Sequence, residues 1–179
     1  MNRVTERYLL KFDEIHKILP RVLENPAKAK DAFYDMLIDA YIEGFSGVEY
    51  LLGVDAEVDA EKLAANIEHQ YDGETIGEKF SKYLAEGDYS AIEDLWDSEF
   101  HRSYNTGAYD LGNEYDVMKE WVTVGDMKVR NTHRYIHGLK VPVGDVFETY
   151  DGDYARFPGD FQFPENNANC RCILNYLSY

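Results

Sequence analysis

The chain has only two cysteines, Cys170 and Cys172, which flank Arg171; upstream, the segment RNTHRYIHG places His133 and His137 four residues apart. Three chemistries use these residue types. Two thiolates and two imidazoles suit a tetrahedral zinc ion, with both sulfurs on one face of a strand and both rings on one face of a helix. Against that set, C-x-C is tighter than the spacing usual for structural zinc, and His137 directly precedes Gly138, where a helix is expected to end. A thiolate nucleophile is the second possibility, with His133 as base and Arg171 lowering the thiol pKa. No oxyanion-hole motif or nucleophile elbow accompanies it. The third reading asks least of the residues: a pair of small buried thiols on a core-facing strand that close the fold over a satisfied His133. A disulfide across one intervening residue would be strained and would constrain no long loop.

Charged residues add no catalytic pattern. Asp126 and Arg130 are four apart and Glu99 and Arg102 three apart, spacings that read as ordinary surface ion pairs on helices or turns. Neither a phosphate-binding G-x-x-x-x-G-K-[ST] loop nor an H-E-x-x-H zinc motif occurs.

The elements that would carry these residues divide the chain in two. Val4, Tyr8, Phe12, Ile15 and Leu19 form one apolar stripe at helical spacing, with Pro20 expected to bend or end that helix. Asn25 and Pro26 then open a second helix whose stripe runs through Ala29, Phe33, Met36, Leu37, Ala40 and Tyr41 toward Phe45, Val48 and Leu52, with Gly53 as its stop. A third helical region starts at Asp59 and weakens near Gly73 and Gly77. A fourth starts at a Ser90–Glu93 capping box, with Ile92, Leu95, Trp96, Phe100, Tyr104 and Ala108 inside. Beyond residue 116 the texture changes to short alternating segments: KEWVTV as a strand, RNTHRYIHG as a short helix, LKVPVGDVFETY as a strand or hairpin, a turn-rich loop, and CRCILNYL as a last strand. The fold class expected is α+β. A helical region over 1–88, about four helices with the start of the next module, precedes a small module over 89–179 with short antiparallel strands.

Composition narrows the function. Among 179 residues, 45% are hydrophobic, enough for a real core, and 15 are tyrosines, which suit half-wet packing surfaces. The formal net charge is −16, and acidic residues outnumber basic ones in both halves. Sequence-specific nucleic acid binding, which needs a basic footprint, is therefore not expected. No stretch approaches the roughly 18 apolar residues of a membrane span, and the charged N-terminus is unlike a signal peptide. No membrane partner is expected.

Taken in order, Glu99, Arg102 and Asn105, then Trp121, Asp126, Arg130, His133, Gly138 and Phe147, then a proline-containing loop and Asn169-Cys170-Arg171-Cys172, resemble the phage Mu F-like head morphogenesis family. These are minor head proteins of tailed bacteriophages, and the resemblance covers residues 90–179. It implies a structural protein of the virion, inside the capsid near the portal vertex and made in the host cytoplasm, with portal protein and capsid or scaffold proteins as partners. It also implies a role in head assembly or in DNA packaging or ejection. The chain is short for the family and stops soon after N-C-R-C, which predicts a module with no appended effector domain. On this reading Trp121, Asp126, Arg130, His133, Asn169, Cys170, Arg171 and Cys172 form a structural clasp, with a zinc on His133, His137, Cys170 and Cys172 as the alternative use of the same atoms. An ejected effector enzyme, ADP-ribosyltransferase-like or metal-dependent, is the competing function; Arg130 and Glu165 would then face a nicotinamide cleft.

Overall fold

The computed structural model describes residues 3–177, with side chains from Glu6 onward, so the side chain of Val4 lies outside the described residues. Helix α1 (Arg3–Leu23) turns Tyr8, Ile15 and Leu19 into the core. It continues through Pro20, which removes one intrahelical hydrogen bond with only three residues left to run. Helix α2 (Pro26–Leu52) begins with proline at its first turn and ends at Gly53, whose left-handed backbone (φ 65°) donates its N–H to the Glu49 carbonyl.

The expected third helix is broken in two. Helix α3 (Ala60–Ile67), capped by the Asp59 side chain, leads into a hairpin of β1 (Gln70–Tyr71) and β2 (Glu74–Thr75), and helix α4 (Ile76–Glu86) follows behind a Thr75–Glu78 capping box. At the hairpin tip both Asp72 (φ 55°) and Gly73 (φ 80°) have positive φ. That pair of conformations makes a two-residue Asp-Gly turn twisted to match antiparallel strands, and no helix can pass through it. Helix α5 (Tyr89–Gly112) starts one residue before Ser90, because the Asp88 carboxylate takes the cap by accepting from the Ala91 N–H at 3.1 Å.

The second half is built from β3 (Met118–Val122), α6 (Asn131–Tyr135), β4 (Lys140–Pro142), β5 (Phe147–Glu148), β6 (Tyr154–Ala155), α7 (Pro164–Asn167) and β7 (Ile173–Leu177). Strand β3 is central, antiparallel to β4 on one side and β7 on the other, with Trp121 opposite Leu174 and Val122 opposite Ile173. Strands β5 and β6 pair by themselves. The α+β expectation holds. Two details differ: the stretch read as loop carries β6 and α7, and the last strand begins at Ile173, so both cysteines precede it.

The long helices α2 and α5 touch backbone to backbone. A Cβ on Gly44 would stand 1.9 Å from the Tyr104 carbonyl oxygen, and one on Gly107 would stand 2.0 Å from the Tyr41 carbonyl oxygen. Two apolar clusters flank this crossing. One packs Tyr8, Leu19, Phe33, Leu37, Phe80, Trp96 and Phe100 among α1, α2, α4 and α5. The other packs Tyr41, Phe45, Leu111, Trp121, Phe147, Phe157 and Phe161 under the sheet. Ile173 of β7 reaches the first cluster, so the C-terminal strand is tied to the helices as well as to its sheet.

Lys119 on β3 is fully buried with its Nζ donating to the Arg156 carbonyl at 2.7 Å and lying over the rings of Tyr109 and Phe147. A carbonyl and two ring faces do not replace the water a cation loses, and burial lowers this amine from its ordinary 10.5 to about 8.

Two predictions follow from this packing. Gly44→Ala and Gly107→Ala should each destabilise the fold by about 1–3 kcal/mol or more, because the obstacle is backbone. Gly47→Ala, whose new methyl would meet only the Tyr104 hydroxyl at 3.6 Å, should instead add roughly 0.5–1 kcal/mol from helix propensity. Urea denaturation of the three variants checks the contrast. Between pH 8 and 10.5 the unfolded chain holds a proton on Lys119 that the folded chain has released, so this residue contributes a rise in stability with pH across that window. Relative to wild type, Lys119→Met should lose that rising component when urea midpoints are compared at pH 8 and pH 10.

Candidate functional site

The cysteines and one histidine converge. Helix α6 carries His133 inward to 1% exposure, where its Nδ1 lies 3.3 Å from the Cys172 sulfur and 3.6 Å from the Cys170 sulfur. Among the described residues these three form a buried group whose ligand atoms all lie within 4.8 Å of one another. The ring is clamped on both sides: Phe161 stacks on it with centroids 5.1 Å apart, and Trp121 meets it edge-on at 5.6 Å. Backbone assists the sulfurs, since the Cys172 N–H donates to Cys170 Sγ at 3.5 Å.

His137 goes elsewhere. Its Nδ1 accepts the Thr123 N–H at 3.1 Å. Extending the β3–β7 register by one residue puts Thr123 opposite Cys172, so His137 satisfies a backbone donor where the ladder stops. The helix α6 ends at Tyr135, two residues too soon to hold both histidines on one face.

A second histidine stands behind the cysteines. His101, on α5, is 2% exposed, its Nδ1 is 2.9 Å from the Tyr8 hydroxyl, and it lies close enough to Cys170 to lower that thiol. Asn105, one turn later, donates to the His101 carbonyl at 2.9 Å and to the Cys172 carbonyl at 3.4 Å. Helices α1, α5 and α6 and the C-terminal segment thus meet through side chains around one pair of sulfurs. Burial raises the Cys170 thiol, but its neighbours Cys172, His101 and His133 outweigh it and hold Cys170 well below the usual thiol range. The neighbouring Cys170 and burial push Cys172 well above that range.

The remaining clasp residues are on the rim. Asp126 is exposed and pairs with Arg171 at 2.7 Å rather than with Arg130; that contact, together with the Lys128 N–H, holds its carboxylate below the ordinary range. Arg130 sits half-buried at the N-cap position of α6, where its side chain makes no capping bond and instead donates to the Ala168 carbonyl. Asn169 adopts φ 52° in the turn that aims the cysteines inward. Within the clasp, Asp126, Arg130 and Asn169 are therefore a half-exposed set of straps. These straps span loops, and loops running over a surface keep their charged groups in water.

The buried charge pair is Glu99 with Arg102, residues whose spacing reads as a surface pair. Arg102 donates to Glu99 at 2.7 Å and to the Asn66 side chain and carbonyl, both at 2.8 Å; Tyr71 donates to the other Glu99 oxygen at 2.8 Å. This network ties α3 and the β1–β2 hairpin to α5. Asp153 does the same for the long loop: its carboxylate accepts from the backbone N–H groups of Tyr154, Gln162 and Phe163 and from the Asn166 amide, whose oxygen takes the Thr132 hydroxyl of α6. Sequence reasoning missed Asp153, Asn166, Asn66 and His101. For His101 a signal existed, since it lies beside Phe100 and one turn before Asn105 on the buried side of α5.

Comparison with known proteins starts from this geometry. The family model described as "Phage Mu protein F like protein" matches residues 58–175, from the residue before the Asp59 cap through β7. The match therefore begins well before residue 90 and takes in α3, the hairpin and α4. Minor head protein GP7 of Bacillus phage SPP1 is 26% identical over 84 residues, 45% of this chain and 27% of that protein. The chain spans little more than a quarter of that relative's length. No solved structure matches.

The two kinds of ion pair make a direct contrast. Glu99→Gln leaves Arg102 buried without its counter-charge and should cost about 3–5 kcal/mol in urea unfolding. Asp126→Asn, which breaks the exposed pair with Arg171, should leave the unfolding midpoint nearly unchanged.

Proposed function

Because the chain belongs to the phage Mu protein F-like family, a family of phage head proteins, we propose that it is a minor head protein held in the interior of the virion head in association with the portal. The observation that carries this reading is the family match across residues 58–175, which spans nearly all of the chain from α3 to β7. The relation to a phage SPP1 minor head protein supports it. Among the described residues no helix is long and apolar enough to cross a membrane.

The role proposed is structural. The chemistry-bearing residues of the C-terminal half are engaged within the protein: Arg130 on the rim with a backbone carbonyl, and the buried His133 with two sulfurs. What the protein offers outward is an acidic surface with a formal charge of −16. Such a surface repels packaged DNA and favours a protein partner with a basic face. Within the head, the partner proposed is portal protein, with capsid or scaffold proteins as neighbours during assembly.

Removing residues 1–50 would delete most of α2, and with it Phe33, Leu37 and Tyr41 from the core, so the test is made on the whole chain. Co-expressed with the portal protein of its own phage, the full-length chain should co-purify with it. Quantitative mass spectrometry of purified virions should find it at a few copies per head. A chain that is abundant in infected cells yet absent from procapsids and virions would overturn the reading.

A further inference from the structure

We propose that His133, Cys170 and Cys172 are the protein ligands of one zinc ion, with His133 coordinating through Nδ1 and His137 taking no part. The inference does not depend on the head-protein reading, since it rests on three side chains and their surroundings.

Distance is the first argument. In a tetrahedral zinc site with Zn–S near 2.3 Å and Zn–N near 2.0–2.1 Å, a sulfur and a nitrogen ligand stand roughly 3.5 Å apart. The two measured separations from His133 Nδ1, 3.3 and 3.6 Å, bracket that edge length. Two thiols donating to one imidazole nitrogen would crowd two hydrogens onto a single lone pair, whereas one cation lets all three atoms act as donors. Space is the second argument. A cavity of about 10 Å³ lies against the three ligands and is lined also by Val124, Lys128, Val129, Arg130, Asn169 and Arg171. That is roughly the room of a single small atom.

The third argument is the state of the surrounding donors. The buried Trp121 Nε1 finds no hydrogen-bond partner and lies near Cys172. An indole N–H is a poorly matched partner for a neutral thiol and a good one for a metal-bound thiolate. The Cys172 N–H directed at Cys170 Sγ supplies the same support to the other sulfur. Phe161 and Trp121 fix the ring plane, so the imidazole is held for its task without a carboxylate behind it. Three protein ligands leave the fourth position to a water molecule. His137 is excluded by its bond to the Thr123 N–H. Zinc fits better than magnesium or calcium because two of the three donors are sulfur.

The full-length chain, expressed in zinc-supplemented medium and purified without chelator, should carry close to one zinc per chain by elemental analysis. Grown with cobalt instead, it should show thiolate-to-cobalt charge-transfer absorption and the visible bands of a four-coordinate ion. His137→Ala should keep the metal; Cys172→Ser and His133→Ala should lose it. Wild-type protein that carries neither zinc nor cobalt overturns the proposal, as does full zinc in a Cys170→Ser/Cys172→Ser double variant. Loss of metal in His137→Ala with the fold intact by circular dichroism also overturns it, in favour of the wider ligand set. Should a cysteine variant fail to fold, the wild-type cobalt spectrum decides alone, because the charge-transfer band reports sulfur coordination without any substitution.

Discussion

The crossing of α2 and α5 at Gly44 and Gly107 is the constraint from which the rest of the structure follows. With no side chain between them, the two backbones come within carbonyl contact, and a close backbone crossing leaves little freedom to rotate or slide either helix. Once α5 is held in that register, its side chains are assigned directions. Phe100 and Trp96 face the helical cluster, Leu111 faces the sheet, Glu99 and Arg102 meet α3 and the hairpin, and His101 and Asn105 meet the C-terminal segment. The helix behaves as a frame to which each later element attaches through a different face.

Those attachments are polar where they are local and apolar where they are broad. Sheet and helices meet through large rings, and each fully buried side chain of that size contributes on the order of 1.5–3 kcal/mol. Short elements such as α3, α6 and α7 cannot bury enough surface to stay in place by area alone. They are tethered by buried hydrogen-bonding groups with several partners each: Arg102 with Asn66, Asp153 with three backbone N–H groups, Thr132 with Asn166. Such networks act as units, because removing one member leaves the others unsatisfied in a low-dielectric setting. The sulfur–imidazole cluster belongs to the same pattern. It joins α6, α5 and the approach to β7 at a point where the β3–β7 ladder has ended. A metal there would do for the C-terminal segment what Asp153 does for the loop.

Charge is distributed to match. Exposed straps such as Asp126–Arg171 tolerate water and add little, while Lys119, a buried cation without a carboxylate, gives up much of its proton affinity. The net excess of acid remains on the outside, compatible with the placement proposed above.

By itself the sequence determined the helical stripes of α1, α2 and α5, the change to short strands beyond residue 116, the proline start and glycine stop of α2, and the family resemblance through the ordered set from Glu99 to Cys172. These depend on local periodicity, backbone preference and residue order, all of which are present in one dimension. The hairpin at Asp72–Gly73 was readable as well, from an Asp-Gly pair, but two-residue strands are too short to show alternation against a surrounding helical pattern. Only the tertiary structure decided that Glu99–Arg102 is buried while Asp126 is not, that His133 faces the cysteines while His137 faces a backbone N–H, and that His101 stands behind them. The reason is physical. Burial and partner choice are set by which surfaces the α2–α5 crossing brings together, and residues such as His101 and Cys170, far apart in the chain, carry no local sign that they will meet.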